Sequence, residues 1–269
     1  MRDLVIKDVS FTYPGNFLAV DGINMEIKAG ENVAIVGQNG AGKSTTVKMM
    51  NGLLKPTKGD VIVGDMNTKD YTTAQVSKYV GYVFQNPDDQ IFHATVEEEV
   101  RFGPKYMKLD KEEEDRRVEF AMKLTGMDEF KDENPMNLPL SMRKFVTIAA
   151  VVAMDTDILI FDEPTAGQDI EGNKRLSEIL KILHDMGKTV ITISHDMEFV
   201  VENFERVIVM ATKKIVREGT PAEIFWDLET LKHAMLHQPY VSRVCRELGI
   251  ESNVIHMDEA VEELLKLKK

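Results

Sequence analysis

The sequence predicts an α/β fold in which an antiparallel β opening leads into a parallel sheet wrapped by helices. Three observations predict it. Short apolar runs alternate with helical patterns through residues 32–194, the mark of parallel strands joined by crossover helices. Residues 4–12 and 18–28 alternate apolar and polar side chains on either side of the turn-forming Pro14-Gly15-Asn16, which reads as an antiparallel hairpin. A glycine-rich turn separates the apolar run Asn32-Val-Ala-Ile-Val36 from a helical pattern that opens at Lys43.

Along the chain, residues 32–36 are a strand and residues 43–53 a helix; residues 59–63 belong to a second hairpin-like region, and 79–84 form another buried strand. Residues 95–126 turn helical and charged. Lys111-Glu-Glu-Glu-Asp-Arg-Arg117 there places opposite charges four residues apart on a solvated face. Helices at 141–154 and 171–185 alternate with strands at 157–161 and 189–194, and 204–210 and 213–217 add two last strands. Beyond Pro221 come short helices, the last with Asp258 as N-cap and Lys266, Lys268 and Lys269 at its cation-favouring end. The organisation expected is a main domain over 1–222, with an antiparallel β subdomain and a helical subdomain at about 86–155, and a small helical C-terminal appendage over 223–269.

Bulk properties exclude several functions. The 269 residues carry a formal charge of −12, which opposes binding to a phosphate backbone, so no nucleic-acid partner is expected. Cys245 is the sole cysteine, so no intrachain disulfide or thiol metal cluster can form. The N-terminus reaches charges too quickly for a secretory signal, and the mature chain is expected to start at Met1. The longest apolar stretch, 145–154, falls well short of the roughly 20 residues that span a bilayer. Any service to a membrane must therefore pass through a partner.

Gly37-Gln38-Asn39-Gly40-Ala41-Gly42-Lys43-Ser44-Thr45 fits the phosphate-loop pattern G-x-x-x-x-G-K-[ST] with a strand before it and a helix after it. Glycines let backbone N–H groups turn inward around anionic oxygens, and the helix N-terminus adds partial positive charge. Lys43 would bridge the β- and γ-phosphates of ATP, and Ser44 would place its hydroxyl on Mg²⁺. The strand Ile158-Leu-Ile-Phe ends in Asp162 and Glu163. Strand tips are where such sheets present ligand groups. Asp162 would hold Mg²⁺, and Glu163 would polarise the attacking water. His195, at the end of the strand Thr189-Val-Ile-Thr-Ile-Ser194, could bond the γ-phosphate and orient that water.

With these elements placed, residues 1 to about 220 resemble the ABC-type ATPases, a branch of the P-loop NTPases. The resemblance implies that Tyr13 stacks on adenine, that Gln85 joins Mg²⁺ to the transporter-contacting segment, and that 166–169 address the other subunit, although leucine is usual where Gln168 stands. A narrower resemblance lies in Phe84-Gln-Asn-Pro-Asp-Asp-Gln90-Ile-Phe, in Thr95-Val-Glu-Glu-Glu-Val, in Phe102-Gly-Pro104 and in the stretch from Pro221. It is similar to the ATPase components of energy-coupling factor importers of vitamins, cobalt or nickel. It implies two ATPases under a transmembrane scaffold protein and a substrate-binding membrane protein, at the cytoplasmic face of the membrane, with the C-terminal appendage helping to hold the ATPases together.

One departure stands out. The family signature Leu-Ser-Gly-Gly-Gln is replaced by Leu138-Pro139-Leu140-Ser141-Met142, and no shift of register restores its glycines. In the family this segment caps the nucleotide of the opposite subunit, and Pro139 offers neither a hydroxyl nor an N–H. The expectation is an asymmetric pair, in which a non-identical ATPase with an intact signature completes this chain's site. A soluble ABC-type ATPase of DNA repair or translation, and a nucleotide sensor that does not turn over, are the alternatives.

Overall fold

The computed structural model describes residues 1–250 and 253–266. The opening hairpin pairs β1 (Leu4–Tyr13) antiparallel with β2 (Phe17–Ile27), Tyr13 facing Phe17 across the turn. Strand β3 (Asn32–Val36) leads through the glycine-rich turn into helix α1 (Lys43–Met50). Strands β4 (Lys58–Val63) and β5 (Met66–Asn67) return to the first sheet, whose order is β2-β1-β4-β5. The short helix α2 (Thr73–Val76), closed by a reciprocal Thr72–Gln75 cap, precedes β6 (Val80–Val83).

The charged stretch is two helices, α3 (Val96–Tyr106) and α4 (Lys111–Thr125), rather than one, because Gly103 and Pro104 fall in the last turn of α3 and Lys108 adopts a left-handed φ of 57°. Both pack on α5 (Leu140–Ala153). Then β7 (Ile158–Asp162), α6 (Ile170–Asp185), β8 (Thr189–Ile193), α7 (Met197–Asn203), β9 (Arg206–Ala211) and β10 (Lys214–Gly219) complete a six-stranded sheet of order β10-β9-β3-β8-β7-β6. All its strands are parallel except the edge strand β10.

The continuous apolar runs of these strands follow from burial on both faces. Val33, Ile35, Ile158, Ile160, Ile191 and Ile193 face a core shared with the antiparallel sheet. The residues between them, including Ala34, Val36, Leu159, Phe161 and Val190, face a second core filled from α3, α4, α5, α6 and α7. A period of two thus divides each strand between two cores. The parallel strands end on one edge of the sheet, and that edge carries the functional groups.

After β10, helices α8 (Pro221–Phe225) and α9 (Leu228–Ala234) still belong to the main body, since Ile224, Phe225, Leu231 and Ala234 are buried in the second core. A separate small core forms around Cys245, Ile250, Val254 and Ala260, between α10 (Tyr240–Glu247) and α11 (Met257–Lys266). The Trp226 indole N–H donates to the Val254 carbonyl at 2.9 Å and the Ser242 hydroxyl to the same oxygen at 2.8 Å. Helix α11 starts one residue before Asp258, which therefore sits in the first turn instead of capping it; Glu259 accepts the Ile255 and His256 N–H groups. Lys268 and Lys269 lie outside the described residues. No helix among the described residues is long and apolar enough to cross a membrane.

Candidate active site

Close packing forces the loop between β3 and α1 into its shape. A Cβ on Gly37 would stand 2.0 Å from the Met210 carbonyl oxygen, and one on Gly42 2.6 Å from that of Ala19. Both positions also have left-handed φ values, 147° and 100°. Gly40, at φ 77°, lines the cleft and has open space where its Cβ would be. Asn39, Gly40, Gly42, Lys43, Ser44 and Thr45 line one cavity of about 1050 Å³, while Gly37, Gln38 and Ala41 form the wall behind it. This cradle suits a phosphate chain. The Lys43 ammonium lies across the mouth, donating to the carbonyls of Gly37 (2.7 Å) and Gln38 (3.1 Å). Tyr13 stands beside the loop, its hydroxyl 3.2 Å from that of Thr45.

Strand β7 delivers the two carboxylates to different environments. Asp162 is buried: its Oδ1 accepts from the Ser44 hydroxyl at 3.2 Å and its Oδ2 from the Tyr82 hydroxyl at 2.6 Å. The phenol is pushed up by burial and by that carboxylate, so it remains a donor. Glu163 turns into the cavity because its backbone is left-handed, φ 52°, a conformation costing a non-glycine residue about 1–2 kcal/mol. Two contacts hold it there. The Glu163 N–H donates to the Ile193 carbonyl at 3.0 Å, and the buried Lys144 ammonium donates to the carbonyls of Glu163 (2.9 Å) and Ala166 (3.1 Å).

His195 brings its Nε2 to 3.0 Å from Glu163 Oε1 and 3.3 Å from Lys43 Nζ. One ring nitrogen can serve only one of them, donating to the carboxylate or accepting from the ammonium. Burial, and then the Lys43 charge, lower the imidazole's pKa and favour its neutral form. Burial raises Glu163 to about 7 despite Lys43, the Asp162 charge adding to the rise. Burial likewise lowers Lys43. A carboxyl that titrates near neutrality, beside a neutral imidazole, is matched to taking a proton from water.

The residues singled out from sequence thus converge on one cleft. Gln85 lines it from the exposed turn after β6, Ser44 and Asp162 meet beneath it, and Tyr13 flanks it. A family model described as ABC transporter matches residues 20–166. Energy-coupling factor transporter ATP-binding protein EcfA of Methanocaldococcus jannaschii is 42% identical over 250 residues, 92% of this chain and 90% of that protein. The chain belongs to the ABC transporter ATPases. Among solved structures it is similar to cbiO1 of Clostridium perfringens, part of the cbiONQ complex, with a TM-score of 0.77 and 35% identity over 92% of this chain and 98% of that one. A dimeric post-hydrolysis state of the ATP-binding cassette MJ0796 bound to ADP and Pi gives 0.74 and 29% over 81% and 98%. This ABC ATPase is an energy-coupling factor transporter component that binds and hydrolyses ATP.

Three groups at the site escape sequence reasoning. Tyr82 anchors Asp162, Lys144 anchors the backbone of Glu163, and residues 237–243 line the cleft from the C-terminal side. Lys144 left a trace in the sequence, as the cation that immediately precedes the apolar stretch 145–154. The departures at Gln168 and at the signature segment meet in space: the Gln168 amide donates to the Ser141 carbonyl at 3.0 Å. Helix α5 starts after Pro139 without a side-chain cap, and Leu140 is exposed in its first turn.

Proposed function

We propose that this ATPase powers an energy-coupling factor importer of a vitamin or a transition-metal ion, as one half of an asymmetric ATPase pair at the cytoplasmic face of the membrane. The observation that carries the asymmetry is that Lys43, Glu163 and His195 meet within hydrogen-bonding distance in one cleft, while the segment this chain would offer its partner has Pro139 and Leu140 where a hydroxyl and a glycine are expected. The chain's own site is complete up to the cap a partner supplies. The site it caps in return is impaired.

In this reading Lys43 and the loop amides grip the triphosphate, with Gly37, Gln38, Asn39, Gly40, Ala41, Gly42 and Thr45 shaping the cradle and Tyr13 taking the adenine. Ser44 and Asp162 offer hard oxygen donors 3.2 Å apart and Gln85 adds another from the lining of the same cleft, a set that fits Mg²⁺. Bound there, Mg²⁺ would neutralise charge on the β- and γ-phosphates. Glu163 accepts a proton from the attacking water, and His195 bonds the γ-phosphate. Closure of two subunits around ATP and their release after hydrolysis is the stroke. The exposed aromatic group of Phe92, Phe102 and Tyr106, downstream of Gln85, is the surface offered to a cytoplasmic helix of the scaffold protein.

The test compares ATP turnover of the chain alone with turnover of its mixture with a signature-bearing ATPase of the same type. The asymmetric reading expects turnover per site to rise at least tenfold in the mixture, and Glu163→Gln in this chain to abolish the gain. Equal turnover per site would end it.

A further inference from the structure

Helix α10 and the segment before it extend into the cleft just described. His237, Gln238, Tyr240 and Arg243 line the same cavity as Lys43, Ser44, Glu163 and His195. The Tyr240 N–H donates to Glu198, another residue of this lining, whereas Tyr13 is not part of it. They therefore share one cavity with the loop residues that cradle phosphate.

Two details mark this wall as poised for an anion. Among the described residues Arg243 has no carboxylate partner, unlike Arg206, which pairs with Glu31 and Glu218, and Arg246, which pairs with Glu247. An acid of the same lining, Glu198, accepts the Tyr240 N–H on its Oε1 at 2.7 Å. A guanidinium without a partner, in a cleft that also presents Lys43 and the loop amides, adds to a positive field and can fork onto phosphate oxygens. Secondly, the side-chain amide nitrogen and oxygen of Gln238 are both out of solvent and find no partner among the described residues. Buried amides are normally satisfied, so residues 237–243 have a polar group that a shifted wall could pair. The Glu198–Tyr240 bond ties the start of α10 to α7, which itself begins with Asp196 next to His195.

We propose that residues 237–243 are the phosphate-side wall of the nucleotide cleft, with Arg243 binding a phosphate anion, so that α10 follows the state of the nucleotide. The inference rests on the ATPase reading and adds a role for the C-terminal helices. The anion is either the γ-phosphate of the bound nucleotide or the inorganic phosphate left after hydrolysis.

Calorimetric titrations of the full chain, wild type, Arg243→Gln and Arg243→Lys, with Mg-AMP-PNP, Mg-ADP, and orthophosphate in the presence of ADP, test it. Arg243 is exposed, so its variants should fold. The expected result is a Kd for AMP-PNP raised about tenfold in Arg243→Gln, partly recovered in Arg243→Lys, with ADP unchanged within about twofold. A loss confined to the orthophosphate titration would also support the wall and assign the guanidinium to the product. Unchanged affinities throughout, or equal weakening for AMP-PNP and ADP, would overturn the proposal. In the wild type, AMP-PNP should slow hydrogen exchange of the α10 amides, and Arg243→Gln should remove that protection; exchange indifferent to AMP-PNP in the wild type would refute the coupling. Lys43→Ala is the control: a wild-type chain that binds no nucleotide, indistinguishable from Lys43→Ala, would refute the ATPase reading itself.

Discussion

At the scale of the residue, Glu163 gathers the tension of the site: a left-handed backbone, a buried carboxyl and two cations nearby. Burial raises its pKa from 4.5 to about 7. Between those values the folded chain holds a proton that the unfolded chain has released, so stability from this group is lost as pH rises through the window. Glu163→Gln, free of that penalty, should gain on the wild type by up to about 3 kcal/mol between pH 5 and pH 8 in the nucleotide-free state. Urea titrations at the two pH values check it; an identical difference at both would contradict the cause given. Tyr82→Phe removes a bond to a buried carboxylate and should cost about 1.5–3 kcal/mol, read in the same titrations. Lys144→Met leaves the Glu163 and Ala166 carbonyls unpaired and should lower turnover at least tenfold while AMP-PNP affinity stays within about threefold, because the ammonium touches the backbone of the base and not the cradle. A parallel loss of binding and turnover would count against that role.

At the scale of the element, the loop after β3 separates two uses of glycine. Gly37→Ala would drive a Cβ into the Met210 carbonyl at 2.0 Å, so β3 and β9 must move apart; a loss of several kcal/mol is expected, measured by denaturation. Gly40→Ala meets no atom and incurs only the left-handed backbone cost of about 1–2 kcal/mol, yet adds a methyl group to a residue that lines the cleft. It should fold and bind nucleotide poorly. The loop was legible in the sequence because its chemistry is local: consecutive residues form the cradle. The parallel strands were legible because burial on both faces leaves uninterrupted apolar runs. Helix α7 was not, since its seven residues are too few for a period, and its capping Asp196 reads as half of a polar pair with His195. Tyr82 and Lys144 were hidden for another reason. Each acquires its meaning from a partner 80 or 19 residues away, brought close only by the register of β6 on β7 and by the packing of α5.

At the scale of the whole molecule, two cores meet along the six-stranded sheet, and the cleft opens where the strands end. The helices after α9 have a small core of their own, and Tyr240, Val244, Leu248, Val261 and Leu265 leave apolar surface exposed on α10 and α11. Such a face suits contact with a second ATPase subunit. If it does so, Val244→Glu with Leu248→Glu should shift the ATPase pair towards monomers in sedimentation experiments while leaving the fold intact. The asymmetry argued from Pro139 and Leu140 also belongs to this scale, since a cap matters only when two subunits close. Closure, capping and turnover all depend on the loop, Lys43 and the paired oxygens of Ser44 and Asp162 binding Mg-ATP. Calorimetry of the purified chain with Mg-ATP, using Glu163→Gln to prevent turnover, measures this directly. The prediction is saturable binding of one nucleotide per chain, weakened at least tenfold when Lys43→Ala is added; no saturable heat, or binding indifferent to Lys43, would contradict it.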